Sequence, residues 1–550
     1  MSIEASHKLV LSKEGLQNID AWKEAGYDLP SFDREAVTKR TKEAPCWIHF
    51  GAGNIFRAFQ ANVMQQLLNK GICDKGLIVA EGFDYEIIEK MNRPHDDYSI
   101  LVTLKSTGEL EKTVVGSIVE SLILDSANQA EFDRLKEIFS APSLQMVSFT
   151  ITEKGYILTD GKGALLPSVE KDIAQGPEKP ESYIGKVASL VYTRYLAGKH
   201  PLALVSMDNC SHNGSKLYEA VHTLAAKWCE AGLADKDFLS YIEDPAGVSF
   251  PWTMIDKITP RPDPKVQSML EADGIQDLSP VITSRNTYVA PFVNAEECEY
   301  LVIEDAFPNG RPPLEQAGVI FTQRETVNKV EKMKVCTCLN PLHTALAVYG
   351  CLLGYELISE EMKDPDLKKL VEIIGYREGM PVVIDPGILS PEKFLSEVLN
   401  IRIPNPFMPD TPQRIATDTS QKLPIRFGET IKAYIASPEL DVKDLHMIPL
   451  VFAGWLRYLM AIDDTGTPFV PSSDPLLDTL NPYVKDLSLG KLKTAEEAET
   501  YLRPVLERAD IFGVNLYECG MAYQVLSYFL ELSAAPGSVR TVLKKYVNLT

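Results

Sequence analysis

The chain has 550 residues, 45% hydrophobic and 24% charged, a composition that suits a soluble globular enzyme too long for one core and built as two large domains. Its 55 lysines and arginines face 76 acidic residues, and the resulting net charge of −21 argues against nucleic-acid or anionic-membrane partners. The opening MSIEASHKLVLSKEGLQ lacks a signal-type apolar segment, and no later run reaches the roughly 20 apolar residues of a bilayer span, so a cytoplasmic location is expected.

The first informative element is the apolar run Cys46 to Phe50, which leads into Gly51-Ala52-Gly53-Asn54-Ile55-Phe56-Arg57 and then the helical pattern AFQANVMQQLLNKG. Strand, glycine turn and helix in that order suit a dinucleotide: Gly51 permits a tight turn, and Gly53 lets a pyrophosphate approach the backbone at a helix N-terminus. Phe56 stands where the usual fingerprint has a third glycine. A second strand, Gly76 to Ala80, ends in Glu81-Gly82-Phe83-Asp84, where an acid is placed to take the adenine ribose hydroxyls and favour NAD over NADP. Asp84 is the first candidate and Glu81 the second.

Further β-rich segments (YSILVTLKS, KTVVGSIVESLILD, QMVSFTITEKGY and PLALVSMDN) alternate with helical stretches, which predicts a largely parallel, doubly wound sheet. The last of these strands ends at Asn209, placing an amide where such sheets bind ligands. Beyond about Arg324 long amphipathic patterns predict a mainly helical second domain, so the expected division is 1–323 and 324–550. A proline-rich, basic stretch from Ile401 to Glu429 reads as a long functional loop within it, with Arg414, Lys422 and Arg426 offering a cluster for a carboxylate.

The densest chemistry lies at Lys334 and the following VCTCLNPLH, where a lysine, an asparagine and a histidine fall within ten residues. A carbonyl reduced by hydride needs a proton donor for the developing alkoxide, and Lys334 is the candidate acid/base. Asn340 reads as an N-cap and Pro341 as the first helical residue, with His343 kept neutral in the first turn by the helix dipole. The nine cysteines are scattered, forming neither a disulfide framework nor paired zinc knuckles.

Several motifs then coincide: GAGNIFRAFQA, TITEKGY, MDNCSHNG, SFPWTMIDKITP and LVIEDAF. Together they resemble the polyol-specific long-chain dehydrogenase/reductase family, whose members act on polyols and on hexuronates, from Ile48 to about Glu429. The resemblance implies a metal-independent NAD enzyme, with a Rossmann-like N-terminal domain carrying an N-terminal extension and an α-helical, substrate-binding C-terminal domain. It implies Lys334 as catalytic lysine, Asn209 and Asn340 as the alkoxide-stabilising pair and His343 as the substrate-orienting histidine. It also implies Asp256 as an acid near the pocket and Glu153 as the solvent end of a proton path. The family's lysine precedes its asparagine by five residues; here Lys334 and Asn340 are six apart, with Val335 at the expected place. A keto-uronate/aldonate pair is the expected substrate, D-fructuronate/D-mannonate first, D-tagaturonate next and mannitol third. A decarboxylating hydroxy-acid dehydrogenase and a non-enzymatic NAD-sensing module are the rivals from other classes, and a monomer or homodimer is compatible with the family.

Overall fold

The computed structural model describes Lys8 to Leu549, so part of the N-terminal stretch read for a targeting signal lies outside the described residues. The chain divides into two compact units, Met1–Asn328 and Lys329–Thr550.

In the first unit six strands form one sheet: β1 (Trp47–Phe50), β2 (Leu77–Glu81), β3 (Ile118–Ile123), β4 (Met146–Phe149), β5 (Leu202–Ser206) and β6 (Val248–Ser249). Their spatial order is β3-β2-β1-β4-β5-β6 and every pairing is parallel, the order of a doubly wound dinucleotide-binding sheet. Strands covered on both faces read as continuous apolar runs, and β1 is buried at all four positions. Alternate residues serve opposite faces. Ile48, Phe50, Val147 and Leu204 join a core with the helices Gln129–Ser140, Tyr183–Leu196 and Asn213–Glu230, whereas Trp47, Val79, Met146 and Val205 pack on the other side with Phe56, Val63 and Leu67.

KTVVGSIVESLILD holds two strands rather than one. Leu110–Val115 pairs with Ser99–Leu104 in a four-stranded mixed sheet, and after Gly116 the chain re-enters the parallel sheet as β3. A Cβ on Gly116 would sit 2.7 Å from the Tyr98 ring, so the crossing needs glycine. A smaller sheet joins Thr253–Asp256 to Tyr300–Glu304 and Ile320–Thr322.

The second unit is helical. Its helix Met447–Leu459 is buried at every position, and its N-terminus is closed by Glu378, whose carboxylate accepts from the amides of His446, Met447 and Ile448 at 2.7, 2.6 and 2.9 Å. Burial pushes the Glu378 carboxyl up to about 7. The stretch 401–429 is not a loop. It contains helices Pro412–Ile415 and Thr419–Leu423 and a π turn Pro424–Gly428, because Thr411 caps one helix and prolines fit first turns.

Contrary to the hydropathy reading, Arg324–Leu353 is long and apolar enough to cross a membrane, but 78% of its apolar window is buried inside the protein, as in a core helix. This segment is α1 (Arg324–Met333), a π turn Lys334–Cys338, and α2 (Asn340–Leu353). Asn340 is therefore the first helical residue and not the cap. Leu339 stands at the cap with φ −129°, makes no side-chain cap bond, and its amide donates to the Lys334 carbonyl at 3.1 Å.

Candidate active site

The turn after β1 is shaped by two glycines with different duties. Gly51 has φ +107°, and a Cβ there would lie 2.3 Å from the Thr150 carbonyl oxygen, so the backbone itself requires glycine. Gly53 faces open space, with nothing within 4 Å of an added Cβ. Space of that kind at the start of a helix, which begins at Asn54, fits a pyrophosphate. Asn54 accepts from Arg57 Nη2 at 2.9 Å, and Arg57 Nη1 donates to the Ala290 carbonyl at 2.7 Å. Burial lowers the Arg57 guanidinium to about 10. Ile55 packs partly buried against the sheet core.

Two cofactor candidates change role. Phe56 is fully buried and its ring stacks on His49, centroids 4.1 Å apart, so it is a core residue and makes no wall for a nucleotide. Glu81 is also withdrawn: one carboxylate oxygen accepts from the Ala52 amide at 2.8 Å and the other from the amides of Phe83 and Asp84 at 2.8 and 3.1 Å. It clamps the glycine turn to the loop after β2, its buried carboxylate engaged by three backbone amides. Asp84 accepts the Thr283 hydroxyl on Oδ2 at 2.6 Å, while its buried Oδ1 has no partner among the described residues. That orphaned acceptor suits a ribose hydroxyl, so Gly53 and Asp84 together fit a dinucleotide.

At the carboxyl ends of β4 and β5, Asp208 accepts the amides of Ile151 and Thr152 at 3.1 and 2.8 Å and the Tyr156 hydroxyl. These bonds hold Thr152 at φ +63°, a conformation a β-branched residue rarely adopts. Glu153 next to it is exposed and paired with Lys216. Asn209 is exposed one residue past Asp208, and Asp256 is buried at the end of the strand Thr253–Asp256.

In the second unit Lys334 is buried at the start of the π turn. A π turn closes i→i+5 and takes up one residue more than an α turn. Arg426 donates to the Thr344 hydroxyl at 2.6 Å and the Asn340 carbonyl at 3.4 Å. His343 is lowered to about 4, first by burial and then by the positive charges of Arg426, Arg402 and Arg414 against the pull of Asp410, so its imidazole is neutral. Arg414 is largely exposed and paired with Asp410. Lys422 donates to the carbonyls of Ile415 (3.0 Å) and Thr417, so its ammonium closes the turn 415–417. Sequence reasoning missed Arg402, buried in the π turn Val398–Arg402, and Asp410. An arginine within the apolar pattern VLNIRI was the available signal.

A doubly wound sheet with an open glycine turn and an acid after β2, followed by a helical unit carrying a buried lysine and a neutral histidine, defines a dinucleotide-dependent oxidoreductase acting on a CH–OH group. The matching domain descriptions are Mannitol dehydrogenase Rossmann domain over residues 46–316 and Mannitol dehydrogenase C-terminal domain over 326–524. The chain belongs to the mannitol dehydrogenase family. It is 52% identical over 540 residues to D-mannonate oxidoreductase of Thermotoga maritima, spanning 98% of this chain and 99% of that protein. Among solved structures it resembles a mannitol 2-dehydrogenase of Pseudomonas fluorescens in ternary complex with NAD and D-mannitol (25% identity, 98% of this chain and 100% of that one, TM-score 0.69). It also resembles a D-sorbitol dehydrogenase in substrate-free form (26% identity, 91% and 98%, TM-score 0.72).

Proposed function

We propose that this enzyme is an NAD(H)-dependent, metal-independent reductase that interconverts D-fructuronate and D-mannonate in the cytoplasm, as a monomer or homodimer. The observation that carries the reading is 52% identity to a D-mannonate oxidoreductase along nearly all of both chains. The arginines set about His343 support it, because a sugar acid brings a carboxylate that a planar guanidinium binds by paired, charge-assisted hydrogen bonds.

The glycine turn at Gly53 and the Asp84 carboxylate would hold NAD(H), which would supply or accept the hydride. Lys334 then donates a proton to the alkoxide oxygen, and in the oxidative direction takes it back. Asn340, six residues after Lys334 in the second unit, holds that oxygen through its side-chain amide, and Asn209 is the amide the first unit offers for the same role. His343, neutral, orients a substrate hydroxyl without adding charge. Arg426 and Arg402 receive the carboxylate. Arg414 and Lys422 support that cluster from the periphery, Asp256 lies near the pocket, and Glu153 passes protons to solvent. The second unit is on this reading the substrate-binding domain.

NADH oxidation in parallel on D-fructuronate, D-tagaturonate and D-fructose, with EDTA present, tests the proposal. Turnover of D-fructuronate in preference to the other two is expected. Preference for fructose would make the enzyme a mannitol-type dehydrogenase. Lys334→Ala should lower turnover by about two to four decades while NADH affinity stays nearly unchanged, and wild-type-like turnover would remove Lys334 from the mechanism.

A further inference from the structure

The motif MDNCSHNG holds two asparagines, and the mechanism uses only Asn209. The other, Asn213, is fully buried at the first position of the helix Asn213–Glu230. An asparagine at a helix start commonly serves the amides of its own helix. Here the side-chain nitrogen is given wholly to other segments. Asn213 Nδ2 donates to the Asp208 carbonyl at 2.9 Å, to the Thr253 carbonyl at 3.1 Å and to the Thr253 hydroxyl at 2.9 Å. Its Oδ1 accepts the amides of Gly214 and Thr253 at 2.8 and 3.1 Å. Both amide hydrogens and the acceptor oxygen are thus engaged.

Thr253 closes the arrangement into a ring, because its hydroxyl donates to the Ser206 carbonyl at 2.7 Å. Ser206 ends β5, and Asp208 stands immediately before Asn209. The carbonyls on both sides of Met207 are therefore tied to one threonine, one directly and the other through Asn213. Asp208 is held a second time through its carboxylate, which accepts the Thr152 amide and the Tyr156 hydroxyl. Thr253 also begins the strand Thr253–Asp256, so the exit of β5 and the strand that ends at the buried Asp256 share one frame. A buried polar network whose members are all satisfied rigidifies the segments it joins.

We propose that Asn213 is a positioning residue for the reaction: by bracketing the Asp208 carbonyl to Thr253 it sets the direction in which the chain enters Asn209, and with it the aim of the Asn209 amide. Thr253 is the other half of the bracket. The inference rests on the reading of Asn209 given above. Aim matters because a donor for a developing oxyanion acts only where that charge forms, and a misplacement of about 1 Å can cost on the order of a hundredfold in rate.

Turnover of the full chain with NADH and D-fructuronate, with NADH affinity and Tm measured alongside, tests it on Asn209→Ala, Asn213→Ala, the double variant, Thr253→Val and Thr253→Ser. Asn209→Ala should lower kcat by about a hundredfold. Asn213→Ala should lower it by about tenfold or more and leave NADH affinity unchanged. In the Asn209→Ala background, Asn213→Ala should add little further loss of kcat, since its effect passes through an amide already removed. Thr253→Val should lower kcat by about threefold to tenfold, and Thr253→Ser, which keeps the hydroxyl, should recover most of it. Losses that multiply in the double variant would overturn the inference and leave Asn209 in the mechanism, as would a fall in NADH affinity as large as the fall in kcat. Should Asn213→Ala fail to fold, Thr253→Val takes its place in the same cycle with the same expectation. Wild-type-like kcat in Asn209→Ala, or a wild-type chain without turnover, would overturn the reading of the site and the inference with it.

Discussion

His343 shows how one residue's neighbours set its chemistry. The sequence suggested a neutral imidazole on the strength of a helix dipole. The structure reaches the same state chiefly through burial among Arg426, Arg402 and Arg414. A base whose folded pKa is about 4 against the ordinary 6.5 stays neutral while the unfolded chain begins to protonate. Its stabilising contribution is therefore full above pH about 6.5 and is lost as pH falls toward 4. The Tm difference between the wild type and His343→Gln should shrink over that interval, and a difference constant with pH would contradict it. Glu81 teaches the converse lesson. Its type and place after β2 were legible, but its occupation by three backbone amides depends on where Ala52 falls in space, which no local pattern records.

At the scale of the element, the glycine turn separates backbone need from ligand need. Gly51→Ala should cost about 2 kcal/mol or more of stability, because a Cβ at a positive φ would press on the Thr150 carbonyl. Gly53→Ala should leave Tm within a degree or two of wild type, yet weaken NADH by about tenfold or more, since its Cβ fills only the space left for the pyrophosphate. Equal Tm losses in the two variants would refute this division. The turn was readable because strand, glycines and helix are contiguous. The π turn at Lys334–Cys338 was not, since nothing in KVCTC distinguishes a π turn from an α turn. The segment 401–429 misread as a loop for a related reason: prolines that break helices also begin them, and three short helical pieces can look like none.

Across the whole molecule, charge is arranged against the average. A chain of net charge −21 repels a sugar acid at long range, so the arginines of the second unit must act locally. Raising ionic strength past about 0.1 M should screen that general repulsion first, and KM for the sugar acid should pass through a minimum before the arginine contacts weaken. Arg426→Ala should remove the preference for a carboxylate over a neutral ketose and flatten the rising limb of that curve. A salt response unchanged in Arg426→Ala would sink this reading. The sheet order was legible from the alternation of strands and helices, whereas the split of 112–125 between two sheets depends on the room around Gly116. Asp208 finally makes the exits of β4 and β5 a single mechanical part. One carboxylate gathers the amides and the tyrosine of one exit while its own backbone leads directly into Asn209 of the other. The position of that amide is thus inherited from the loop at Thr152, and substitutions on the two loops should behave as one perturbation rather than two.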